Sequence, residues 1–239
     1  MAAGERRRRI LELVAIKGFT GETRRLCEVC AEVTEMTGAG IMLMSGDVPH
    51  GSVCTTNEVS ALIEQLQYAL GEGPCVDAVL TDRPVLEPDL AEPVAPRWLA
   101  FTDQALAAGV RAIFGFPLHA GAIRLGALNL YRDRPGPLSD EQHADALVMA
   151  DVAAEAVLAL QAKAPAGTLS AELEANADFQ YVVHQAAGMV AAQLDTTVGL
   201  ALVRLRGYAF GNNRSLTGVA RDVVDRSLRF DLATEQDEL

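Results

Sequence analysis

The chain has 239 residues, half of them apolar, and its 20 basic side chains against 32 acidic ones leave a formal charge of −12. That length suits one or two domains with a sizeable core, and the acidic balance excludes a protein that coats nucleic acid or an anionic membrane over its whole surface, although a local basic patch stays allowed. The most apolar stretch, 144–162, carries Asp145, Asp151 and Glu155, which belong on the wet side of a helix, so no membrane span is expected. The first twenty residues place Arg6 to Arg9 before Ile10 and Leu11, without the apolar stretch or cleavage site of a secretory signal. The arginine run reads as a solvated terminus rather than a nucleic-acid arm. Four cysteines, Cys27, Cys30, Cys54 and Cys75, are too few and too scattered for a disulfide framework, so free thiols and a cytoplasmic location are expected.

In chain order, Leu26, Val29, Cys30, Val33 and Met36 recur at helical spacing, and Thr37-Gly38 closes that helix. Ala39 to Met44 and Ser52 to Thr55 read as strands around a Gly46-Asp47 turn. Leu62, Ile63, Leu66 and Leu70 line one face of a helix over 59–70. A Gly/Pro-rich stretch follows, then a short extended piece at Val85 and Leu86, then a helix over 96–107 with Pro96 in its first turn. Arg111 to Leu118 and Ile123 to Tyr131 form a hairpin across Ala120-Gly121. Ser139 with Gln142 spells a capping box at the start of a long helix. An antiparallel sheet with helices at both chain ends is an α+β sandwich.

Pro165 and Gly167 interrupt the helical pattern after Ala162 and mark a seam. Residues 178–230 hold six arginines against four aspartates, a local +2, whereas 1–177 carries −10 and the tail from Asp231 carries −4. Three amphipathic helices are expected there. The first carries Phe179, Val182, Val183, Ala186, Val190 and Leu194. The second is capped by Thr196 or Thr197 and ends at Gly211-Asn212-Asn213, and the third is capped by Ser215. Short apolar stripes of this kind pack as a three-helix bundle.

Within that bundle, His184 to Val190, Ala201 to Ala209 and Asn213 to Ala220 carry three motifs whose sequence and spacing resemble an ANTAR domain, a three-helix RNA-binding module of bacterial transcription antitermination regulators. Many members carry a lysine where this chain has Ala187. Residues 20–162 look like a GAF domain of the type fused to such modules. The motifs are Leu70-Gly71-Glu72-Gly73-Pro74-Cys75, Asp89-Leu90 with Arg97-Trp98, Gly109-Val110-Arg111-Ala112 leading into Phe116-Pro117-Leu118, and Gly126-Ala127-Leu128-Asn129-Leu130. The resemblance is to a GAF and ANTAR domain-containing antitermination regulator of the actinobacterial type. It implies a GAF-like sensor over 1–162, a linker or signalling helix over 163–177, and an ANTAR-like RNA-binding domain with an acidic tail over 178–239. It also implies a small ligand or partner for the sensor, tandem hairpins in nascent RNA for the output, and pairing of two chains through the helix from Ser139 onward. No catalysis and no cofactor are expected.

Hairpin loops are held by arginines on phosphate and by planar or amide side chains on splayed bases. The candidate RNA-binding residues are Gln185, Gly188, Arg204, Arg206, Tyr208, Asn212, Asn213 and Arg214. Gly188 interrupts a helix, as a site of close approach by RNA or by a neighbouring helix does, and Tyr208 lies off the main stripe, where it stacks on a base or covers the bundle. Asp222 with Arg226 and Asp225 with Arg229 have the i,i+4 spacing of ordinary surface pairs and are left out of the site. Cys27 and Cys30 share a helix and are expected in the core, with no second pair to complete a zinc site. The four histidines show no ligand spacing. Two other classes stay open. One is a GAF-type redox or small-molecule enzyme acting through Cys75, and the other is a DNA-binding helix-turn-helix regulator, for which the alternating Asp and Arg of the third helix make an awkward major-groove face.

Overall fold

The computed structural model of the protein describes residues 3–16, 23–45, 48–93, 95–162 and 178–230. The chain divides into two compact units, a larger one containing the sheet and a smaller one built on the three C-terminal helices. The expected linker over 163–177 and the acidic tail lie outside the described residues, as does the Gly46-Asp47 turn.

The larger unit runs α1 (Ala3–Ile16), α2 (Arg24–Thr34), β1 (Gly38–Ser45), β2 (Val48–Thr55), α3 (Glu58–Leu70), α4 (Pro74–Thr81), β3 (Val85–Glu87), α5 (Leu99–Ala107), β4 (Ala112–Ala120), β5 (Ile123–Arg132) and α6 (Asp140–Gln161). Its five strands pair antiparallel in the order β2-β1-β5-β4-β3. Alternation decides the two faces. Ala39, Ile41 and Leu43 on β1, Ala112, Phe114, Phe116 and Leu118 on β4, and Leu128 and Leu130 on β5 enter the main core with side chains of α1, α2 and α6. Gly40, Met42, Gly115, Ala127 and Asn129 fall on the opposite face, over which α3 and α4 pass.

Two expectations about charge change in the folded chain. Arg6 and Asp145 are each only 5% exposed. The Arg6 guanidinium donates to Asp145 and to the Glu141 carbonyl, while Arg9 reaches the other Asp145 oxygen at 2.8 Å. Arg6 is therefore not solvated, although Arg8 and Arg9 are exposed, and Asp145 does not sit on the wet side of α6, because α1 lies across it. Asp151 and Glu155 are exposed as expected, and Arg7 clasps Glu155 from α1.

Cysteine usage also differs from the sequence reading. Cys27 on α2 and Cys54 on β2 form a disulfide with their Cα atoms 6.0 Å apart, and Cys30 and Cys75 are free and buried. Sequence spacing hides the pair because the partners come from different elements, brought together when α2 packs on the sheet.

Helix boundaries were mostly as expected: Ser139 and Gln142 form the full capping box of α6. The helix α4 falls inside the stretch that reads as a Gly/Pro-rich loop, since Pro74 after Gly73 is in fact a first-turn proline. Conversely, α5 begins at Leu99 instead of Pro96, because Trp98 adopts a left-handed backbone (φ 55°) just before it.

The smaller unit contains α7 (Asp178–Leu194), α8 (Val198–Gly211) and α9 (Leu216–Val224). Thr197 caps α8 through the Leu200 N–H, and Ser215 caps α9 through the Gly218 N–H. Its interior is Val183, Ala186, Ala187, Val190, Ala201, Leu202, Leu205, Ala209, Leu216, Val219, Ala220 and Val223, all buried. After α9 the chain turns at Arg226 (φ 61°), and the Phe230 N–H donates to Gln193 on α7. Asp222, expected to pair with Arg226, holds Arg214 at 2.6 Å. Among the described residues, no single helix is long and apolar enough to cross a membrane.

Two stability effects follow. Replacing Asp145 with Ala leaves the buried Arg6 charge without its carboxylate and should cost about 3–5 kcal/mol in chemical denaturation. The disulfide closes a loop with a sequence separation of 27. On the chain-entropy model its loss costs about 3.5 kcal/mol. Reductant should therefore lower the midpoint of the wild-type protein and leave a Cys54→Ser variant unchanged.

Candidate functional site

On the α3/α4 face of the sheet, one cross-strand row is almost bare. Gly40 on β1 pairs with Asn129 on β5, and Asn129 pairs with Gly115 on β4. A Cβ at Gly40 would stand 2.6 Å from Glu64 Oε1, and one at Gly115 would stand 2.5 Å from the Pro74 carbonyl oxygen. Both glycines thus admit close approach, the first of a carboxyl from α3 and the second of the α4 backbone.

The motif around Gly71 to Cys75 is the joint that holds these helices. Gln67 Oε1 accepts the Cys75 N–H at 2.8 Å, satisfying a free donor at the start of α4. Glu72 Oε1 accepts the Ala100 and Phe101 N–H groups, each at 2.8 Å, and so caps α5. Trp98 donates from Nε1 to Asp77 on α4 at 2.9 Å, with the Arg97 guanidinium over its ring and bonded to the buried Glu87 at 3.3 Å.

Beneath this joint lies a buried polar cluster. Asn129 Nδ2 donates to Glu64 Oε1 at 3.3 Å, and Glu64, Gln67 and Asn129 are 3%, 0% and 2% exposed. Among the described residues, Glu64 Oε2, Gln67 Nε2 and Asn129 Oδ1 have no hydrogen-bond partner. Burial pushes the Glu64 carboxyl up to about 8, with the Asn129 bond opposing the shift only in part. Burial also holds the Cys75 thiol well above its usual range, and the nearby Glu64 charge adds to that, against a lowering hydrogen bond with Gln67. Cys30 is pushed up to about 12 by burial. Neither free cysteine is in a setting that favours a thiolate, which weighs against chemistry through Cys75. Among the described residues, no group of three His, Cys, Asp or Glu side chains is placed to hold a metal ion.

Sequence reasoning missed Glu64, Gln67 and Asn129 as a set. Asn129 stood inside a motif, but Glu64 and Gln67 read as the polar side of an amphipathic helix. A second signal was present, because Gly40 and Gly115 interrupt strands otherwise rich in large side chains.

The RNA-binding candidates occupy two helices and a turn of the smaller unit. Gln185 and Gly188 are exposed on α7, and a Cβ at Gly188 would meet nothing within 4 Å, so helix packing does not require this glycine. Arg204, Tyr208 and Asn212 follow one another at i,i+4 spacing along α8. Tyr208 is half-buried, edge-on to Phe230 at 5.4 Å, and its carbonyl accepts from Asn212 Nδ2 at 2.9 Å. Arg206 is about 200° around the helix from Arg204. Asn213 holds a left-handed φ of 51°, and the neighbouring Arg214 spends its guanidinium on Asp222. The side chain of Ala187, where a lysine was noted in related motifs, is 0% exposed and faces the bundle interior.

A GAF domain family model matches residues 22–158, more than half of the chain. The chain belongs to the GAF domain family, whose members act in small-molecule and signal sensing. Among solved structures, the chain is similar to the GAF domain of a phosphoenolpyruvate-protein phosphotransferase from Coxiella burnetii, at 12% identity over 68% of this chain and 98% of that one, with a TM-score of 0.50. A free methionine-R-sulfoxide reductase from Neisseria meningitidis, solved with its substrate, aligns at 13% identity over 64% of this chain and 89% of that one, with a TM-score of 0.46. The type II enzyme of the same name from Thermoplasma acidophilum aligns at 18% identity over 56% and 87%, with a TM-score of 0.42. No curated protein matches the chain.

The buried carboxyl predicts a pH signature. A folded-state value of about 8 against an ordinary carboxyl means that the folded protein keeps a proton the unfolded chain has lost between about pH 4.5 and 8, so stability falls as pH rises through that window. The isosteric Glu64→Gln variant should remove this slope and gain on the order of a few kcal/mol relative to wild type at pH 8. Parallel stability curves for the two proteins between pH 5 and 8, measured by urea unfolding, would contradict the assignment.

Proposed function

We propose that the chain is a signal-responsive transcription antitermination regulator, in which the GAF unit senses a small molecule and the C-terminal helices bind tandem hairpins in nascent RNA. The observation that carries the output half is the surface formed by Arg204, Tyr208 and Asn212 along α8 with Asn213 and Arg214 in the turn that follows. It lies in the segment of local positive charge within an acidic chain. Guanidinium groups on phosphate together with amide and aromatic groups on unpaired bases are the chemistry of loop recognition. Gln185 and the exposed Gly188 extend the polar surface on α7, where the missing side chain lets a backbone approach. Arg206 belongs to the same segment but to another side of α8, so it serves a second strand of the ligand rather than the same loop.

The sensor half follows from membership of the GAF family and from the buried polar cluster under α3. It works without catalysis, since the Cys75 thiol is buried and kept protonated. The regulator acts in the cytoplasm as a homodimer through α6. Two copies offer two RNA-binding surfaces, which raises avidity for paired hairpins, and ligand occupancy shifts the balance between two arrangements of the pair.

Affinity for a tandem-hairpin RNA and for duplex DNA of the same sequence, each titrated at several salt concentrations, tests this reading. Hairpin RNA should bind at least tenfold more tightly. Arg204→Ala should weaken it about tenfold and reduce the salt slope by about one. Equal affinity for both nucleic acids, or RNA binding indifferent to Arg204→Ala, would replace it with a DNA-binding or purely sensory function.

A further inference from the structure

Glu64, Asn129 and Gln67 each keep one polar atom without a partner, and all three side chains are more than nine-tenths buried in one cluster. The first two are joined directly by the Asn129 Nδ2 to Glu64 Oε1 bond, and Gln67 and Glu64 both bear on Cys75 at the start of α4. A buried polar atom left alone costs about 1–3 kcal/mol, and nearly all such atoms in folded proteins are paired. Three in one place are what a fold retains for a guest. Resting on the reading of this unit as a small-molecule sensor, we propose that the cluster receives an amphipathic cation, an amine, amidine or guanidine head on an apolar body, with Glu64 as its counter-charge.

The donor inventory sets the head group. With Glu64 ionised, the form that a bound cation stabilises by displacing its proton, two unpaired acceptor oxygens, on Glu64 and Asn129, stand against one unpaired donor on Gln67, which matches a group richer in N–H than in lone pairs. No cation shapes the setting of Glu64, whose perturbation comes from burial and from the Asn129 bond. An anion would therefore find no cation beside Glu64 to balance its charge, and it would hold the carboxyl in its neutral form. The apolar body is set by the same face of the sheet. Met42 and Ala127 stand two residues along from Gly40 and Asn129 and pack in a buried cluster with Met44, Val79 and Cys75. Methionine side chains repack easily around a guest.

Benzamidine, benzamide and benzoate share one shape and differ in charge, and they are the probes. Each is titrated into the full chain, with thermal unfolding and the fluorescence of Trp98 as readouts. Trp98 is the single tryptophan and is tied through Asp77 to α4. Benzamidine should raise the midpoint and shift the emission at concentrations at least tenfold below those needed for benzamide, and benzoate should do neither. Glu64→Gln, checked for cooperative unfolding, should lose that tenfold preference. A preference for benzamide or benzoate, or a benzamidine response that survives Glu64→Gln, overturns the cationic class and leaves the unit a sensor of some other small molecule. No response to any of the three, in protein that still binds hairpin RNA, overturns the proposal together with the sensor reading of this face, while the RNA output stands.

Discussion

The space between the sheet and the helices over it is set by side chains that are absent. With no Cβ at Gly40 or Gly115, α3 and the first turn of α4 come close to the sheet on either side of Asn129. That approach carries a carboxyl out of water and onto the strands. Desolvation then holds the Glu64 proton, and the same crowding drives up the Cys75 thiol. A side chain at Gly40 would displace the Glu64 carboxyl, and one at Gly115 would push the first turn of α4 off the sheet. The chemistry of the cluster thus depends on backbone proximity more than on the acidity of any one group.

The two faces of the sheet divide the work. One is closed by α1, α2 and α6 over a continuous apolar core, braced by the Arg6–Asp145 pair and by the Cys27–Cys54 link. The other is held by side-chain hydrogen bonds: Gln67 and Glu72 accept from backbone N–H groups at the starts of α4 and α5, and the Trp98 indole donates to the Asp77 carboxylate. Such bonds are directional and individually modest. A change at Glu64 or Gln67 therefore has a physical route to α4 and α5 that does not require opening the main core.

How much of this could be read in the sequence depends on whether the signal was local. Periodicity placed most helices and strands, the β4–β5 hairpin across Ala120-Gly121 and the capping box at Ser139, because each is fixed by near neighbours. What escaped was decided at long range. Asp145 looked like a solvent-facing residue until α1 packed over it, Cys27 looked like a core thiol until α2 met β2, and Glu64 looked like the polar side of α3 until Gly40 drew it inward. The helix α4 escaped for a different reason, since Gly73 and Pro74 carry loop signals that also start helices. In the C-terminal segment the caps at Thr197 and Ser215 were local and legible, while the pairing of Asp222 with Arg214, eight residues apart, was not.

That last pairing bears on the proposed RNA-binding function. Asp222 and Arg214 are both partly exposed, and an ion pair in such a setting contributes only about 0–1 kcal/mol. A phosphate offers Arg214 charge-assisted bonds of greater strength, so the pair can exchange at small cost. Until it does, Asp222 keeps the guanidinium ordered beside Asn212 and Asn213 while cancelling its charge. The short interior of alanine and valine, Ala187 included, leaves no room for a cation pointing inward, so what positive charge this unit can offer must come from its rim. On the proposed RNA-binding reading, selectivity for a structured loop over a plain polyanion rests on Tyr208, held edge-on to Phe230, and on Asn212, bonded to the Tyr208 carbonyl.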